Sequence, residues 1–427
     1  MKYLIESYGC QLNIAESNAL ELLLKGQGFT KTDNVNEADA VILNTCSVRK
    51  SAENRIWGRL SLFGAEKKRR KNLKIIVTGC MAERLQDELL LDAPFVDKVV
   101  GTVDKLNIVS YLVNNNLVHD NVYSFTNSYY KEGDIASYVP IMNGCNNFCT
   151  FCIVPHVRGR ELSRPVEEII KEVKYLDDLG VKEIMLLGQN VNSYNYNGMR
   201  FPDLLTEVCK HLNNIVYVRF DSPHPKDFSP ELIEVIRNEK RVAKHIHLPM
   251  QSGSSRILQL MNRRTTREKF MALVDNIRTI EGITFATDVM VAFPTETDEE
   301  YEETLSMMDY INPIEAFMYF YNKREGTPAA TMAGQIADKV KSQRLDTLIK
   351  LQLQRCKEYK MTRVGLTTDA IVTGVTRDDK SKFLARNEHN ETFSFSPITE
   401  VKVGDLVNLK SYELKGNTYL AEMFIPQ

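Results

Sequence analysis

The sequence predicts an α/β chain in three parts: an open parallel α/β domain, a partial (β/α)6 barrel and a small all-β barrel. Three observations carry this. Short apolar runs alternate with amphipathic stretches over the first third, the pattern of a parallel sheet covered by helices. The alternation resumes at Ala136 and runs for six strand–helix units, too few to close an eight-fold barrel. From about Thr362 the helical period disappears and five short β-type runs follow, separated by turn signals. The boundaries fall at 1–118, 131–361 and 362–427, and a chain of 427 residues is long enough for two or three domains.

In the first domain Lys2–Tyr8 reads as a strand and Ile14–Lys25 as a helix. Ala38–Asn44 and Leu73–Thr78 are the next strands, followed by helices from about Ser51 to Lys67 and from about Ala82. Asn114–Asp134, rich in Asn, Ser and Tyr, is a linker. The central strands are Ala136–Met142, Lys182–Leu187, Ile215–Phe220, His245–Leu248, Thr284–Ala292 and Glu315–Tyr321. The helix Val166–Leu179 between the first two carries Val166, Ile169, Ile170, Val173 and Leu176 at helical spacing and stops at Gly180. A long polar helix, Ala337–Lys360, leads to the terminal strands Ala370–Thr376, Lys382–Arg386, Thr392–Ser396, Leu406–Ser411 and Tyr419–Phe424.

Composition narrows the function classes. Apolar residues are 43% and charged residues 26%, ordinary for a globular protein. No run of eighteen apolar residues and no secretory start are present, so the expectation is a cytoplasmic protein without a membrane partner. A net charge of −2 leaves any nucleic-acid affinity to local patches. Candidates are the run Lys67–Lys71 and the scattered Arg377, Lys380, Lys382, Arg386 and Lys410. Arg158, Arg160 and Arg164 are better placed either to touch RNA or to anchor loops.

Eight cysteines fit a disulfide framework poorly in such a chain. Cys209 and Cys356 lie in helical segments and read as buried thiols. Cys10, Cys46 and Cys80 each follow a strand and precede a helix, in Tyr8-Gly9-Cys10, Asn44-Thr45-Cys46 and Thr78-Gly79-Cys80. In a parallel sheet those ends share one edge, where ligands bind. Three unrelated core cysteines are the plainer alternative. Cys145, Cys149 and Cys152 follow the first central strand with the spacing C-x-x-x-C-x-x-C. Thiolates in a short looped run can wrap an iron–sulfur cluster, and three of them leave one iron of four open for chemistry. A zinc site would recruit a fourth ligand, and His156 is close enough in sequence to serve.

Two polar loops sit at the same end of the barrel. Gly188, Gln189 and Asn190 follow the second strand, and Gln251 and Ser252 the fourth. Gly permits close backbone approach, and the amides and hydroxyl offer polar contacts to a cofactor. His245 and His247 alternate along the fourth strand and read as satisfied core histidines. No catalytic residue beyond the cysteines is singled out.

The spacing of Cys145, Cys149 and Cys152 on the first loop of a partial barrel resembles the radical S-adenosylmethionine superfamily. That resemblance implies a [4Fe-4S] cluster whose open iron binds S-adenosylmethionine and reduces it to a 5′-deoxyadenosyl radical. By analogy Phe151 would pack near the adenine. A second three-cysteine domain before the barrel and a small β-barrel after it make the whole chain similar to the methylthiotransferases. These carry a second cluster that supplies or presents sulfur, and end in a TRAM-like RNA-binding barrel. Within that family, several stretches resemble the branch acting on isopentenyladenosine next to the anticodon of tRNA. They are Asn44–Arg49, Gly79–Arg84, Cys152–Pro155, Arg158–Glu161, Ser163–Pro165, Ser222–Lys226 and Arg324–Ala329. The resemblance further implies a reducing electron donor and an Fe–S or sulfur carrier as partners. Two rival readings stay open. One is a sister methylthiotransferase acting on threonylcarbamoyladenosine or a ribosomal-protein aspartate, the other a non-catalytic Fe–S RNA-binding or sensor protein. The chain departs from the family at Val291–Glu296, which lacks the glycines usual on both flanks of Phe293-Pro294, and at Ala385, where Gly is common.

Overall fold

The computed structural model describes residues 1–47, 50–103, 105–113, 125, 130–131 and 133–425. Most of the expected linker Asn114–Asp134 lies outside the described residues, as do two residues of the Asn44–Arg49 stretch. The first sheet is wholly parallel. Its strands are β1 (Lys2–Ser7), β2 (Thr30–Lys31), β3 (Ala40–Thr45), β4 (Lys74–Gly79) and β5 (Lys98–Val100), in the order β2-β1-β3-β4-β5. Three of these were expected; β2 and β5 are two and three residues long, too short for a periodic signal.

Strand β3 is buried at every position, because helices cover both faces of the sheet. Val41, Leu43, Ile75 and Val77 pack on one face with Ile56, Leu60 and Phe63 of helix α2 (Lys50–Arg69). Ala40, Ile42 and Ile76 pack on the other with Leu20 and Leu24 of helix α1 (Gln11–Gly26). The strand period of two thus divides the apolar side chains between two half-cores. Helix α3 (Cys80–Leu85) begins directly at the end of β4.

Six of the central strands form two parallel sheets of three. In the first, β6 (Ala136–Pro140), β7 (Glu183–Leu187) and β8 (Tyr217–Phe220) run in the order β8-β7-β6. In the second, β9 (His245–His247), β10 (Thr284–Val291) and β11 (Glu315–Phe320) run in the order β9-β10-β11. A single parallel bridge, Val218–Val242, spans the gap between them. One apolar core joins both sheets and their helices, from Val139 through Ile169, Leu204 and Val274 to Leu348. The first expected strand is shorter than its apolar run. It stops at Pro140, and Met142–Asn143 turns away to pair antiparallel with Leu162–Ser163.

The last five strands close a barrel: β12 (Thr367–Val375), β13 (Phe383–Asn387), β14 (Thr392–Ser396), β15 (Leu406–Lys415) and β16 (Thr418–Phe424). Ala385, one of the two departures, is fully buried in the core formed by Phe393, Phe395 and Tyr419. The barrel docks on the amino-terminal starts of the central strands. Arg219 donates to Asn387 O at 2.8 Å and Glu388 O at 2.6 Å, and His389 Nδ1 lies 3.1 Å from Lys244 O. Arg386, offered to RNA by the sequence, instead meets Glu183 at 2.7 Å in this interface.

The other departure is strained. Ala292 and Thr295 have φ of +57° and +68°. These flank Phe293-Pro294, where the sequence lacks glycines. A β-branched residue in this region is a steric outlier costing about 1–3 kcal/mol. Thr295→Gly gives up an exposed hydrogen bond from Arg256 Nη1 at 3.1 Å, but Arg256 keeps Thr295 O at 2.8 Å and Glu300 at 2.6 Å. The expected net result is stabilisation by about 1 kcal/mol, read as a higher midpoint in chemical denaturation.

Candidate functional site

Ser7 pairs with Asn44, and Thr45 with Gly79, so β1, β3 and β4 end level with one another. Cys10, Cys46 and Cys80 follow those ends along one edge of the sheet. Cys10 precedes α1 and is exposed, while Cys46 and Cys80 are buried. Gly79 makes the start of α3 possible. Its φ is +95°, and a Cβ there would lie 2.4 Å from Thr45 O. Two buried asparagines lock the edge. Asn13 Nδ2 donates to Asn44 Oδ1 and Thr45 O at 3.1 Å, and Asn44 Nδ2 returns a bond to Asn13 O at 2.9 Å. The Cys10 thiol donates to Asn13 Oδ1 at 3.3 Å. Sequence reasoning passes over Asn13; the available signal was a polar residue three positions after a candidate ligand, followed at helical spacing by Glu16 and Ser17.

The loop carrying Cys145, Cys149 and Cys152 is held on every side. Gly144, at φ +81°, allows an approach in which a Cβ would lie 2.0 Å from Arg160 O. Cys145 N donates to Gly159 O at 3.1 Å, and Thr150 N to Met261 O at 3.1 Å. Asn262 Nδ2 donates to Asn147 O at 3.1 Å and Phe148 O at 3.0 Å. Arg160 stacks on Phe148 at 4.4 Å from the ring centroid and remains exposed. Burial pushes the thiol of Cys145 up to about 11 and that of Cys152 up to about 12.

The two cysteine sites face each other across one junction. Cys80, Ile153 and Val157 form a common apolar cluster, and Thr102 Oγ1 donates to Val157 O at 2.6 Å. Glu16 of α1 receives Arg158 at 2.8 and 3.2 Å and also pairs with Lys105. This corrects the RNA role offered for Arg158, which is buried between Glu16 and Asn143. Arg164 is corrected likewise: it is buried against Glu172, Glu168 and Pro140 O. Both guanidiniums anchor loops. Arg377 and Lys382 remain exposed on the terminal barrel.

The polar loops divide. Asn190 is fully buried, and its amide already bonds Asp227 at 2.8 Å and His224 N at 3.1 Å. Ser252 is fully buried against Ser254 N and Thr304. Both side chains are thus engaged within the protein, while the amide of Asn190 keeps a second donor and a second lone pair. Gly188 packs against Met142, where a Cβ would come within 2.3 Å of Met142 Cγ. Gln251, at φ +69°, stitches its backbone to Asp288 and Met290. Phe151 packs beside the cluster of Ile257, Met261, Phe293 and Tyr321. Gln189 Oε1 and His224 Nε2 are buried without a partner just beyond the carboxyl ends of β7 and β8. His224 Nδ1 accepts from Lys226 N at 3.2 Å, so the open Nε2 is a donor. An unsatisfied acceptor and donor at strand ends fit a polar ligand.

His245 bonds Thr284 Oγ1 at 2.8 Å. His247 bridges Asp221 at 2.8 Å and Asp288 at 3.1 Å. Burial alone would lower its pKa, but the two carboxylates outweigh it and push the imidazole up to about 10. The stabilisation is therefore full below the ordinary value of 6.5 and lost as pH rises toward 10. Unfolding midpoints measured across that window are expected to fall, and His247→Gln to flatten the fall. Cys209 is buried as expected, but Cys356 is only half-buried, with its thiol directed at Ile314 O at 3.3 Å.

None of the eight cysteines is in a disulfide among the described residues. Among the described residues, no three His, Cys, Asp or Glu side chains converge closely enough to hold a single metal ion. A four-iron cube spreads its thiolates further apart than one ion does, and donor sets made only of cysteine suit it.

The Radical SAM superfamily model matches residues 139–308, and the model described as Uncharacterized protein family UPF0004 matches residues 2–101. Proteins named tRNA-2-methylthio-N(6)-dimethylallyladenosine synthase match throughout. That of Treponema denticola is 41% identical over 99% of this chain and 100% of its own length. That of Bacteroides fragilis is 40% identical over 99% and 95%. Among solved structures, the radical S-adenosylmethionine methyltransferase TsrM of Kitasatospora setae aligns with a TM-score of 0.58 at 14% identity, covering 77% of this chain and 75% of its own. At that identity it speaks for the fold alone, a radical S-adenosylmethionine fold of α/β character. The chain belongs to the radical S-adenosylmethionine tRNA methylthiotransferase family, enzymes that use S-adenosylmethionine and [4Fe-4S] clusters.

Proposed function

We propose that this enzyme methylthiolates C2 of N6-isopentenyladenosine next to the anticodon in tRNA. The observation that carries the reading is the junction where Cys80 packs against Ile153 and Val157, which follow Cys152 in the chain, and Glu16 receives Arg158. Cys145, Cys149 and Cys152 would hold the cluster that binds S-adenosylmethionine, and Cys10, Cys46 and Cys80 the cluster that presents sulfur. When bound, these groups supply the radical that activates the C–H bond and the methylated sulfur that replaces the hydrogen, with S-adenosylmethionine serving both steps. The protein's own residues hold and enclose. Asn262 and Gly144 fix the loop of the first triad, and the Asn13–Asn44 pair fixes the edge of the second. Gln189 and His224 offer an acceptor and a donor to the cofactor.

The substrate assignment follows the name shared by the relatives. A loop base splayed from its stack is the usual target of specific RNA recognition. In this reading 1–118 is the sulfur-presenting domain, 131–361 a partial (β/α)6 barrel and 362–427 a TRAM-like module that grips tRNA with Arg377 and Lys382. Arg160 would meet RNA beside the radical site. A reducing electron donor and an Fe–S or sulfur carrier complete the partners, in the cytoplasm; no helix among the described residues is long and apolar enough to cross a membrane. Nucleoside mass analysis of tRNA from a deletion strain tests the proposal. Loss of methylthio-isopentenyladenosine, restored by the gene, is expected. Unchanged levels of that nucleoside, with loss of methylthio-threonylcarbamoyladenosine, would instead identify the sister activity.

A further inference from the structure

A buried cation beside the cysteine loop has no carboxylate to balance it. Arg263 is 6% exposed, and among the described residues no Asp or Glu lies within ion-pair distance of it. Its Nη1 points at Cys149 Sγ at 3.7 Å, and its Nη2 donates to Pro249 O at 2.9 Å. Its Nε is buried without a partner. A guanidinium sealed from water without a counter-charge is strongly unfavourable. Of its two described hydrogen-bond partners, Pro249 O is neutral, and the Cys149 sulfur is the one that can carry a compensating negative charge. The neighbouring chain makes this placement firm. Leu260 O and Met261 O accept from Thr150, and Asn262 clasps Asn147 and Phe148. Residues 260–263 therefore form a clamp around the loop, and Arg263 is its charged end.

We infer that Arg263 is a redox-positioning residue, which raises the reduction potential of the cluster held by Cys145, Cys149 and Cys152 through its charge and its hydrogen bond to Cys149 Sγ. The inference rests on the assignment of that cluster to those cysteines. The physics is one of charge. Adding an electron makes the thiolate-bound cluster more negative, and a fixed cation at a ligand sulfur stabilises that form. Hydrogen bonds to the sulfurs and net charge are the levers by which proteins set such potentials. The pinned guanidinium does this without reorganising, because Pro249 O holds its plane.

The test uses the full-length chain carrying Cys10→Ala, Cys46→Ala and Cys80→Ala, so that a single cluster is titrated. Iron is counted, and the midpoint potential is read by electron paramagnetic resonance during titration with dithionite. Arg263→Gln is expected to move the potential negative by the equivalent of at least tenfold in the reduction equilibrium, about 59 mV for one electron. Arg263→Lys, which keeps the charge but loses the planar fork, is expected to fall about halfway. A cluster that loads normally but keeps its potential in either variant overturns the inference. So does a lysine shift as large as the glutamine shift, since packing rather than charge would then be responsible. If the parent chain binds no four-iron cluster, the assignment of the cysteines fails instead, which is a separate result.

Discussion

Cys149→Ala is expected to abolish both 5′-deoxyadenosine formation and methylthiolation, whereas Cys46→Ala abolishes only methylthiolation. The two cysteines belong to loops on different domains, built by different strand ends. Under the proposed assignment, removing the Cys149 thiolate takes one of three protein ligands from the cluster that reduces S-adenosylmethionine. Radical generation and everything after it then stop. Removing Cys46 is expected to leave the central loop intact, since among the described residues the backbone bonds of that loop run to Gly159, Met261 and Ala329 and not to the first domain. Anaerobically reconstituted protein, given S-adenosylmethionine and dithionite, should therefore still release deoxyadenosine without product. The measurement is deoxyadenosine and methylthio-nucleoside counted in the same reaction. Deoxyadenosine at wild-type levels from Cys149→Ala would place the radical chemistry elsewhere. Loss of both products from Cys46→Ala, with iron still on the central loop, would mean that the two sites do not act separately.

What could be read in the sequence follows from what is local. The run Ala40–Leu43 is apolar because both faces of β3 are covered, and the cysteine three residues on is at a strand end because the run stops there. The closed terminal barrel shows in its turn spacing. Partners distant in the chain do not show. Arg158 and Glu16 are 142 residues apart, and Arg263 and Cys149 are 114 apart. A sequence gives an arginine its charge but not its counter-charge, so the same reading offered the buried Arg158, the buried Arg164 and the exposed Arg160 together. Asn190 and Ser252 were offered to a cofactor for the same reason. Their side chains are polar in the sequence and find their partners only in three dimensions. Gly79 is different, because a glycine before a helix that must start abruptly carries its backbone requirement with it.

The largest structural effects are expected from breaking the buried Glu16–Arg158 pair. Arg158 bonds both Asn143, beside the central cysteine loop, and Glu16 of the first domain's α1. Glu16, Arg158 and Lys105 are all largely buried, and the two cations hold the Glu16 carboxyl down at about 2 against the upward push of burial. Deleting one partner of a buried pair costs about 3–5 kcal/mol, because the other is left charged and dry. Here Lys105 would still face Glu16, which places Arg158→Ala at the lower end and Glu16→Ala, which takes the carboxylate from both Arg158 and Lys105, at the upper end. The pair also dictates an acid response. A carboxyl depressed from 4.5 to about 2 contributes stability that is complete above pH 4.5 and lost as pH falls toward 2, so the wild-type midpoint should drop across that window and that of Glu16→Gln should drop less. Because the pair spans the junction, its loss should also uncouple the reaction, with more deoxyadenosine released per methylthio group transferred. A double variant, Glu16→Leu with Arg158→Met, separates the two effects. Replacing the whole pair by apolar side chains is expected to recover much of the stability. If the ratio of deoxyadenosine to product recovers with it, the pair serves only to hold the domains together; if the ratio stays high, the ion pair itself sets how the two cysteine sites are aligned.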